Sequence, residues 1–233
     1  MTTAMTSRQT FDKLTDELQR IYKAVLLQIV HKLENHQKEE LRFYCTEFIS
    51  TGDTEVLNIL RSLQNAGKIS WEDISYLKEG LRVVQRMDLV KTLTAFEVKR
   101  DVTILLDFYA RKRQGSESFS RHAFEKVEQI AGYLAIIMTE KAQERFDVGN
   151  TVRSLLEPKK GIRKVLVEFE GEIKRELSDP WSKLTFLVVI SGEIAAASLA
   201  NEEHRQKLEP LKMCSTAADE LCWRIMELGS WVS

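Results

Sequence analysis

The sequence predicts an all-α protein, and two observations carry that prediction. Apolar residues recur at spacings of three and four through most of the 233 residues, which is the spacing of one face of an α-helix. The chain has only 3 Pro and 10 Gly, and residues that start or stop helices fall between the apolar stripes. The first hundred residues therefore predict a compact helical unit with short loops.

Five helices are predicted in this first part, and Phe11, Leu14 and Leu18 extend the first of them backwards. Asn65-Ala66-Gly67 has the pattern of a helix stop, and Ser70-Trp71-Glu72-Asp73 has the pattern of a capping box that starts the fourth helix. The apolar stripes are, in chain order, Tyr22, Val25, Leu26, Ile29, Val30 and Leu33; Leu41, Tyr44, Cys45 and Phe48; Val56, Ile59, Leu60 and Leu63; Ile74, Leu77, Leu81 and Val84; and Leu89, Leu93 and Phe96.

The tetrapeptide Arg86-Met87-Asp88-Leu89 lies where the fourth helix gives way to the fifth. Asp88 suits the N-cap of the fifth helix, because its carboxylate can accept a hydrogen bond from a free backbone N–H. Arg and Asp two residues apart cannot share a helix face, but they can meet at such a junction. We therefore expect Arg86 to fork onto the Asp88 carboxylate. The alternative is a helix cap beside an unrelated surface arginine.

Phe43 lies two residues after Leu41 and two before Cys45, so it points away from their apolar stripe. A large aromatic side chain off the core face is expected to be exposed. It then either lies under a loop or contacts a partner protein.

Residues 22–100 resemble the death effector domain family, the six-helix module of apoptotic adaptors and initiator caspases. The resemblance lies in Glu40-Leu41-Arg42-Phe43-Tyr44-Cys45 and in the Arg-x-Asp-Leu of Arg86 to Leu89. The family adds an acid early in its second helix, where this chain has Gln37, with Glu39 and Glu40 close by. The resemblance implies a six-helix death-fold bundle that binds another effector domain, on an adaptor or an initiator caspase, through Phe43, Tyr44, Arg86, Asp88 and Leu89.

The composition narrows the functional classes. The net charge of −1 argues against nucleic-acid binding, and three scattered cysteines favour reduced thiols in the cytosol or nucleus. The first residues lack the apolar core of a signal peptide. No histidine or cysteine spacing suggests a metal site, and no glycine-rich phosphate loop or caspase-like cysteine signature occurs. We expect neither a cofactor nor an enzymatic activity.

The helical pattern after Asp101 continues to the basic triplet Arg111-Lys112-Arg113, which predicts a solvated helix end. The residues that follow, 114–118, have the composition of a linker. The expected organisation is a disordered N-terminus over 1–10, an effector domain over 11–113, the linker over 114–118 and a second helical bundle over 119–233.

The second bundle is predicted to surround one apolar helix, from Leu184 to Ala200, which carries only the charge of Glu193. Ser178-Asp179-Pro180 precedes it, and proline is common at a helix start. A membrane-spanning helix is the alternative, since about 17 residues is the short limit for crossing a bilayer. Other helical segments are predicted over Ala123–Ile137, Phe146–Leu156 and Ile162–Phe169.

This half resembles the B-cell lymphoma type of apoptosis regulators. Trp181 and Lys183, followed by an apolar helix and Ser191-Gly192, resemble the first homology block of that family, and Trp223 to Trp231 resembles the second. Pro180 and Ser182 depart from the family pattern. The resemblance implies a groove near Trp181, Lys183 and Leu184 that binds an amphipathic death-ligand helix.

The chain is thus interpreted as a non-enzymatic, cytoplasmic apoptosis-regulating adaptor, with the mitochondrial surface as an alternative location. Its partners would be death-effector-domain proteins and amphipathic death-ligand helices. Two alternatives are a membrane-active protein that inserts its apolar helix and a plain helical scaffold.

Overall fold

The computed structural model describes residues 7–49, 55–115, 124–145, 179–200 and 209–228, together with Val167. This part of the chain is helical and contains no strand, which confirms the predicted all-α class. In chain order the elements are α1 (Ser7–Lys32), α2 (Asn35–Tyr44), a 3-10 helix (Thr46–Phe48), α3 (Val56–Asn65), α4 (Ser75–Val83), α5 (Met87–Arg113), α6 (Glu125–Arg145), α7 (Pro180–Ala200) and α8 (Glu209–Glu227).

The chain divides into two compact units, one of Lys13–Glu97 and the other of Met1–Asp12 together with Val98–Ser233. The division falls inside α5 and not at the predicted linker over 114–118, because α5 continues without a break to Arg113. Residues 116–118 and the predicted segments around 146–156 and 162–169 lie outside the described residues, apart from Val167. At the N-terminus, residues 7–10 were predicted to be disordered but belong to α1.

The unit Lys13–Glu97 contains six helical segments in its described residues, the 3-10 helix included. The predicted stripes form its core, with Leu41, Ile59, Leu63 and Leu81 completely buried. Each such side chain contributes roughly 1.5–3 kcal/mol on burial. The ring centroids of Tyr22 and Phe96 lie 5.8 Å apart, so the first and last helices of this unit meet in the core.

The predicted capping box at Ser70 forms a turn before the helix rather than its cap. The Ser70 hydroxyl accepts hydrogen bonds from the backbone N–H groups of Glu72 at 3.1 Å and Asp73 at 3.0 Å. Helix α4 begins later, at Ser75, whose backbone N–H donates to Asp73 Oδ1 at 2.9 Å. The prediction that Ser70 starts the helix was wrong, because α4 begins only at Ser75, and its N-cap position is Ile74.

In the unit that contains Val98–Ser233, α7 is the predicted apolar helix. Twelve of its 21 residues are buried, and it packs against α6 and α8. Asp179 caps it by accepting a hydrogen bond from the Ser182 N–H at 2.6 Å, with Pro180 as its first residue. Among the described residues α7 is long and apolar enough to cross a membrane, but 67% of its apolar window is buried inside the protein. That burial favours a core helix.

The lone acid of this helix, Glu193, has two partners on α5. Tyr109 Oη donates to Glu193 Oε1 at 2.6 Å, and Arg113 Nε donates to the same oxygen at 2.7 Å. These contacts satisfy a carboxylate that would otherwise be costly in an apolar helix.

The prediction of a solvated helix end holds for Lys112 and Arg113, which are exposed, but is wrong for Arg111. Arg111 is only 3% exposed, and its Nε donates to Asp107 Oδ2 at 2.7 Å. Burial raises the pKa of Asp107, and the Arg111 guanidinium acts in the opposite direction. Of the three, only Lys112 is exposed without an ion pair among the described residues. Cations at a helix end indicate favourable charge, but they do not tell whether that end is packed.

Candidate functional site

Arg86 forms the bidentate pair with Asp88 that the sequence predicts. Its Nε lies 2.8 Å from Asp88 Oδ1, and its Nη2 lies 2.8 Å from Asp88 Oδ2. The third nitrogen, Nη1, donates to Gln37 Oε1 at 2.7 Å and to the backbone carbonyl of Lys32. One guanidinium therefore connects the end of α1, the first turn of α2 and the first turn of α5.

Asp88 is the second residue of α5 and not its N-cap, so this detail of the prediction was wrong. Helix α5 begins at Met87, and the Arg86 carbonyl accepts the backbone N–H groups of Leu89 and Val90 at 3.0 Å. The Asp88 carboxylate still lies beside the free N–H groups of the first turn, where negative charge is stabilised.

The backbone places Arg86 by a helix ending that is usually built with glycine. Gln85 follows the C-cap of α4 with φ at 56°, in the left-handed region. Its N–H donates to the Arg82 carbonyl at 3.0 Å, and the Arg86 N–H donates to the Leu81 carbonyl at 2.8 Å. This pair of bonds is the Schellman motif. It turns the chain so that Arg86 faces α1 and α2.

Gln37 occupies the position where the resembled family has an acid. Its Oε1 accepts hydrogen bonds from Arg86 Nη1 at 2.7 Å and from the Glu34 backbone N–H at 3.1 Å. The geometry of a three-residue cluster is thus complete with a neutral amide in the third place. The cluster of Gln37, Arg86 and Asp88 carries one positive and one negative charge.

The ion pair is reflected in the acidity of both groups. The hydrogen bond from Arg86 lowers the pKa of Asp88 to about 2, and the same hydrogen bond raises the pKa of Arg86. The Arg86 side chain is 16% exposed, whereas the Asp88 side chain is 57% exposed. Arg86 is therefore mainly a structural residue that connects neighbouring helices, whereas the Asp88 carboxylate is exposed to the solvent.

Phe43 is 84% exposed, which confirms that it points away from the core. It lies beside a groove of about 1060 Å³ between α2 and the end of α4. The lining residues are His36, Gln37, Glu39, Glu40, Phe43, Tyr44, Val83, Val84 and Gln85.

Helix α4 approaches α2 closely at Gly80. A Cβ atom at Gly80 would lie 2.9 Å from Leu41 Cδ1 and 3.1 Å from Tyr44 Cδ1. The Tyr44 ring packs on the Tyr76 ring, with centroids 5.2 Å apart, and stays half-buried. Of the predicted site residues, Phe43, Tyr44 and Asp88 thus reach the surface around the groove or the ion pair.

Leu89 is completely buried, so the prediction that it contacts a partner was wrong for the folded chain. It belongs to the apolar stripe of α5, as its spacing from Leu93 and Phe96 indicates, and supports the turn that carries Arg86 and Asp88.

The residues predicted to line a groove in the second half are not all accessible. Trp181 is 39% exposed and Lys183 is half-buried in the first turn of α7, but Leu184 is only 3% exposed. Leu184 is therefore a core residue, and its predicted contact with a death-ligand helix was wrong. Trp231 of the second homology block lies outside the described residues. The binding of such a helix stays a prediction that concerns Trp181 and Lys183.

The cysteines show no sign of nucleophilic chemistry. All three are free, and burial raises the pKa of Cys45 to about 11. A raised pKa disfavours the thiolate that a reactive cysteine needs. Among the described residues no group of acids, histidines and cysteines could hold a metal ion.

Val83 and Gln85 line the groove but were not predicted to be site residues. Val83 is 55% exposed at the end of α4, one residue off the predicted stripe that ends at Val84. Gln85 lines the groove from its left-handed backbone position. Val83 could have been found by the off-stripe argument that identified Phe43. Gln85 carries no sequence signal, since the usual glycine of such a turn is absent.

Comparison with known proteins matches one region of the chain. Residues 22–99 match the family model of the death effector domain. No curated protein and no solved structure matches the chain.

Proposed function

We propose that this chain is an apoptosis-regulating adaptor, because residues 22–99 match the model of the death effector domain, a family of homotypic protein interaction in apoptosis. Its docking surface consists of Phe43, Val83, Gln85 and Asp88. The partner is a death effector domain on another protein, such as an adaptor or an initiator caspase. The observation that carries the proposal is the exposure of Phe43.

Phe43 is a large apolar side chain whose burial against a partner would contribute favourable binding free energy. Single exposed apolar residues are common, but Phe43 at 84% exposure lies next to the exposed Val83 along one groove. Burying a Phe side chain contributes roughly 1.5–3 kcal/mol, enough to make Phe43 an energetic centre of an interface.

The charges around the groove indicate the chemistry of the partner. Glu39 and Glu40 are exposed on α2, and Asp88 presents a carboxylate that Arg86 only partly covers. The partner surface should therefore bring a Lys or Arg side chain beside an apolar group. These charges would speed association and favour the correct partner, and salt would weaken their effect.

The test is capture of partners from a cell extract by the immobilised full chain, with Phe43→Asp as the variant. We expect wild type to recover death-effector-domain proteins and Phe43→Asp to recover at least tenfold less. The reason is that a charged carboxylate replaces a ring that is buried in the complex. Leu27→Asp is the matched control, since Leu27 is 47% exposed in the same unit but does not line the groove.

Both variants should unfold within about 0.5 kcal/mol of wild type, as is usual for exposed positions. The proposal fails if no recovered protein carries a death effector domain, or if Phe43→Asp and Leu27→Asp recover the same amounts as wild type.

A further inference from the structure

In the described residues, three helices are followed by a residue with a left-handed backbone conformation. At one of these three positions the residue is not glycine. Gly67, Gln85 and Gly115 have φ values of 68°, 56° and 67°. An L side chain in this region brings its Cβ too close to the following carbonyl oxygen, and glycine avoids that cost. Gln85 is the exception.

The backbone bonds at Gln85 do not explain the exception. The turn after α3 has the same two bonds, from Gly67 N–H to the Gln64 carbonyl at 3.0 Å and from Lys68 N–H to the Leu63 carbonyl at 2.9 Å. Glycine therefore builds this turn elsewhere in the same unit. The turn itself therefore does not require a glutamine side chain at position 85, and its presence needs another explanation.

Gln85 is exposed and lines the same groove as Phe43. Its amide forms no hydrogen bond within the part of the chain that the structure describes. Gln37, on the opposite wall, has an amide oxygen that is already taken by Arg86 and by the Glu34 N–H. Gln85 thus offers two donors and an acceptor to whatever enters the groove.

We propose that Gln85 is a specificity-determining residue of the docking surface, whose amide hydrogen-bonds polar groups of the partner death effector domain while Phe43 is buried. The inference rests on the proposed function. The left-handed backbone at position 85 disfavours any side chain, yet the chain has glutamine there. Hydrogen bonds that Gln85 forms only in the complex would offset this strain, and strained residues are often found at functional sites.

The test pairs a binding measurement with a stability measurement on the full chain. The probe is the death-effector-domain protein that wild type recovers in largest amount, purified. Gln85→Gly removes the amide and relieves the backbone, so we expect affinity to fall threefold to tenfold while the Tm rises by roughly 4 °C. Gln85→Asn keeps an amide in a residue that tolerates this backbone, and its affinity should fall less.

The matched control is Gly67→Gln, which places the same residue in the same conformation away from the groove. No atom lies within 4 Å of a Cβ at Gly67, so only the backbone cost applies. We expect its Tm to fall and its affinity to stay that of wild type.

A role that was only structural would move affinity and Tm in the same direction. The inference is overturned if Gln85→Gly binds as well as wild type, or if its Tm does not rise. If Phe43→Asp loses binding but Gln85→Gly binds normally, only the proposed role of Gln85 is rejected and the docking surface stands. Normal binding in Phe43→Asp would reject the docking surface itself.

Discussion

At the scale of single residues, Arg86 connects three helices of the unit Lys13–Glu97. Its three guanidinium nitrogens contact groups from α1, α2 and α5, and its side chain is mostly buried. Asp88 contacts Arg86 but is more exposed, and Gln37 has a second bond to the backbone of Glu34. Losing Arg86 would leave the Lys32 carbonyl and the Gln37 amide without this partner, whereas losing Asp88 would remove only its two hydrogen bonds with Arg86.

We therefore predict that Arg86→Ala destabilises the chain by roughly 2 kcal/mol and Asp88→Ala by about 1 kcal/mol. A double-mutant cycle should give a coupling energy of about 1 kcal/mol between the two residues. The measurement is urea unfolding of wild type, both single variants and the double variant. A coupling near zero would show that the pair contributes nothing beyond its separate members.

Acid provides the control for this coupling. The pKa of Asp88 is lowered to about 2 in the fold, from 3.8, so its contribution is complete above pH 3.8 and is lost as the pH falls towards 2. The coupling energy should accordingly shrink between pH 4 and pH 2. A coupling that stays constant over that range would contradict the ion pair.

At the scale of elements, the packing of α5 on α7 is set by Gly192 and Glu193. A Cβ atom at Gly192 would overlap the ring of Tyr109, so no side chain fits between this helix and the ring. Glu193, the next residue, accepts the hydrogen bond of the same tyrosine. The Tyr109 ring therefore packs directly on the backbone at Gly192, and its hydroxyl donates a hydrogen bond to the Glu193 carboxylate.

Gly192→Ala should destabilise the chain by about 1–3 kcal/mol, because the added methyl overlaps the Tyr109 ring in a packed core. Gly132→Ala is the matched control, since Gly132 lies inside α6 with no atom within 4 Å of the added Cβ. It should stabilise the chain by about 0.5–1 kcal/mol through helix propensity. Chemical denaturation of the two variants would show opposite signs; equal effects would mean that Gly192 is not a packing requirement.

At the scale of the whole molecule, the two units divide inside α5. Residues of α5 beyond Val98 have their partners in the second unit. The rings of Phe108 and Phe11 stack 6.0 Å apart, Lys99 Nζ lies 2.5 Å from Asp219, and Asp107 and Arg111 are buried. The match to the death effector domain model covers residues 22–99, which lie in the unit Lys13–Glu97 except for the last two residues.

This division predicts how fragments of the chain behave. Residues 13–97 should melt cooperatively by circular dichroism as a monomer, because their core stripes are complete. Residues 1–114 should be less soluble and bind a hydrophobic dye, because Tyr109 loses Glu193 and the apolar residues of 102–110 lose their cover. A soluble 1–114 fragment without dye binding, or a 13–97 fragment without a cooperative melt, would contradict the division at Glu97.

The sequence by itself determined the features that depend on near neighbours along the chain. The helical class, the core stripes, the exposure of Phe43 and the pairing of Arg86 with Asp88 follow from a period of 3.6 residues and from contacts two residues apart. The stripe also placed Leu89 on the apolar face, against its expected role in binding.

Only the tertiary structure decided the features that join distant residues. Arg113 and Glu193 are 80 positions apart, Arg86 and Lys32 are 54 apart, and neither pair has a local pattern. The burial of Arg111, the need for glycine at Gly192 and the division of α5 at Glu97 depend on which helices pack together. A helix shows in its sequence which face is apolar, but the helix that covers that face lies elsewhere in the chain.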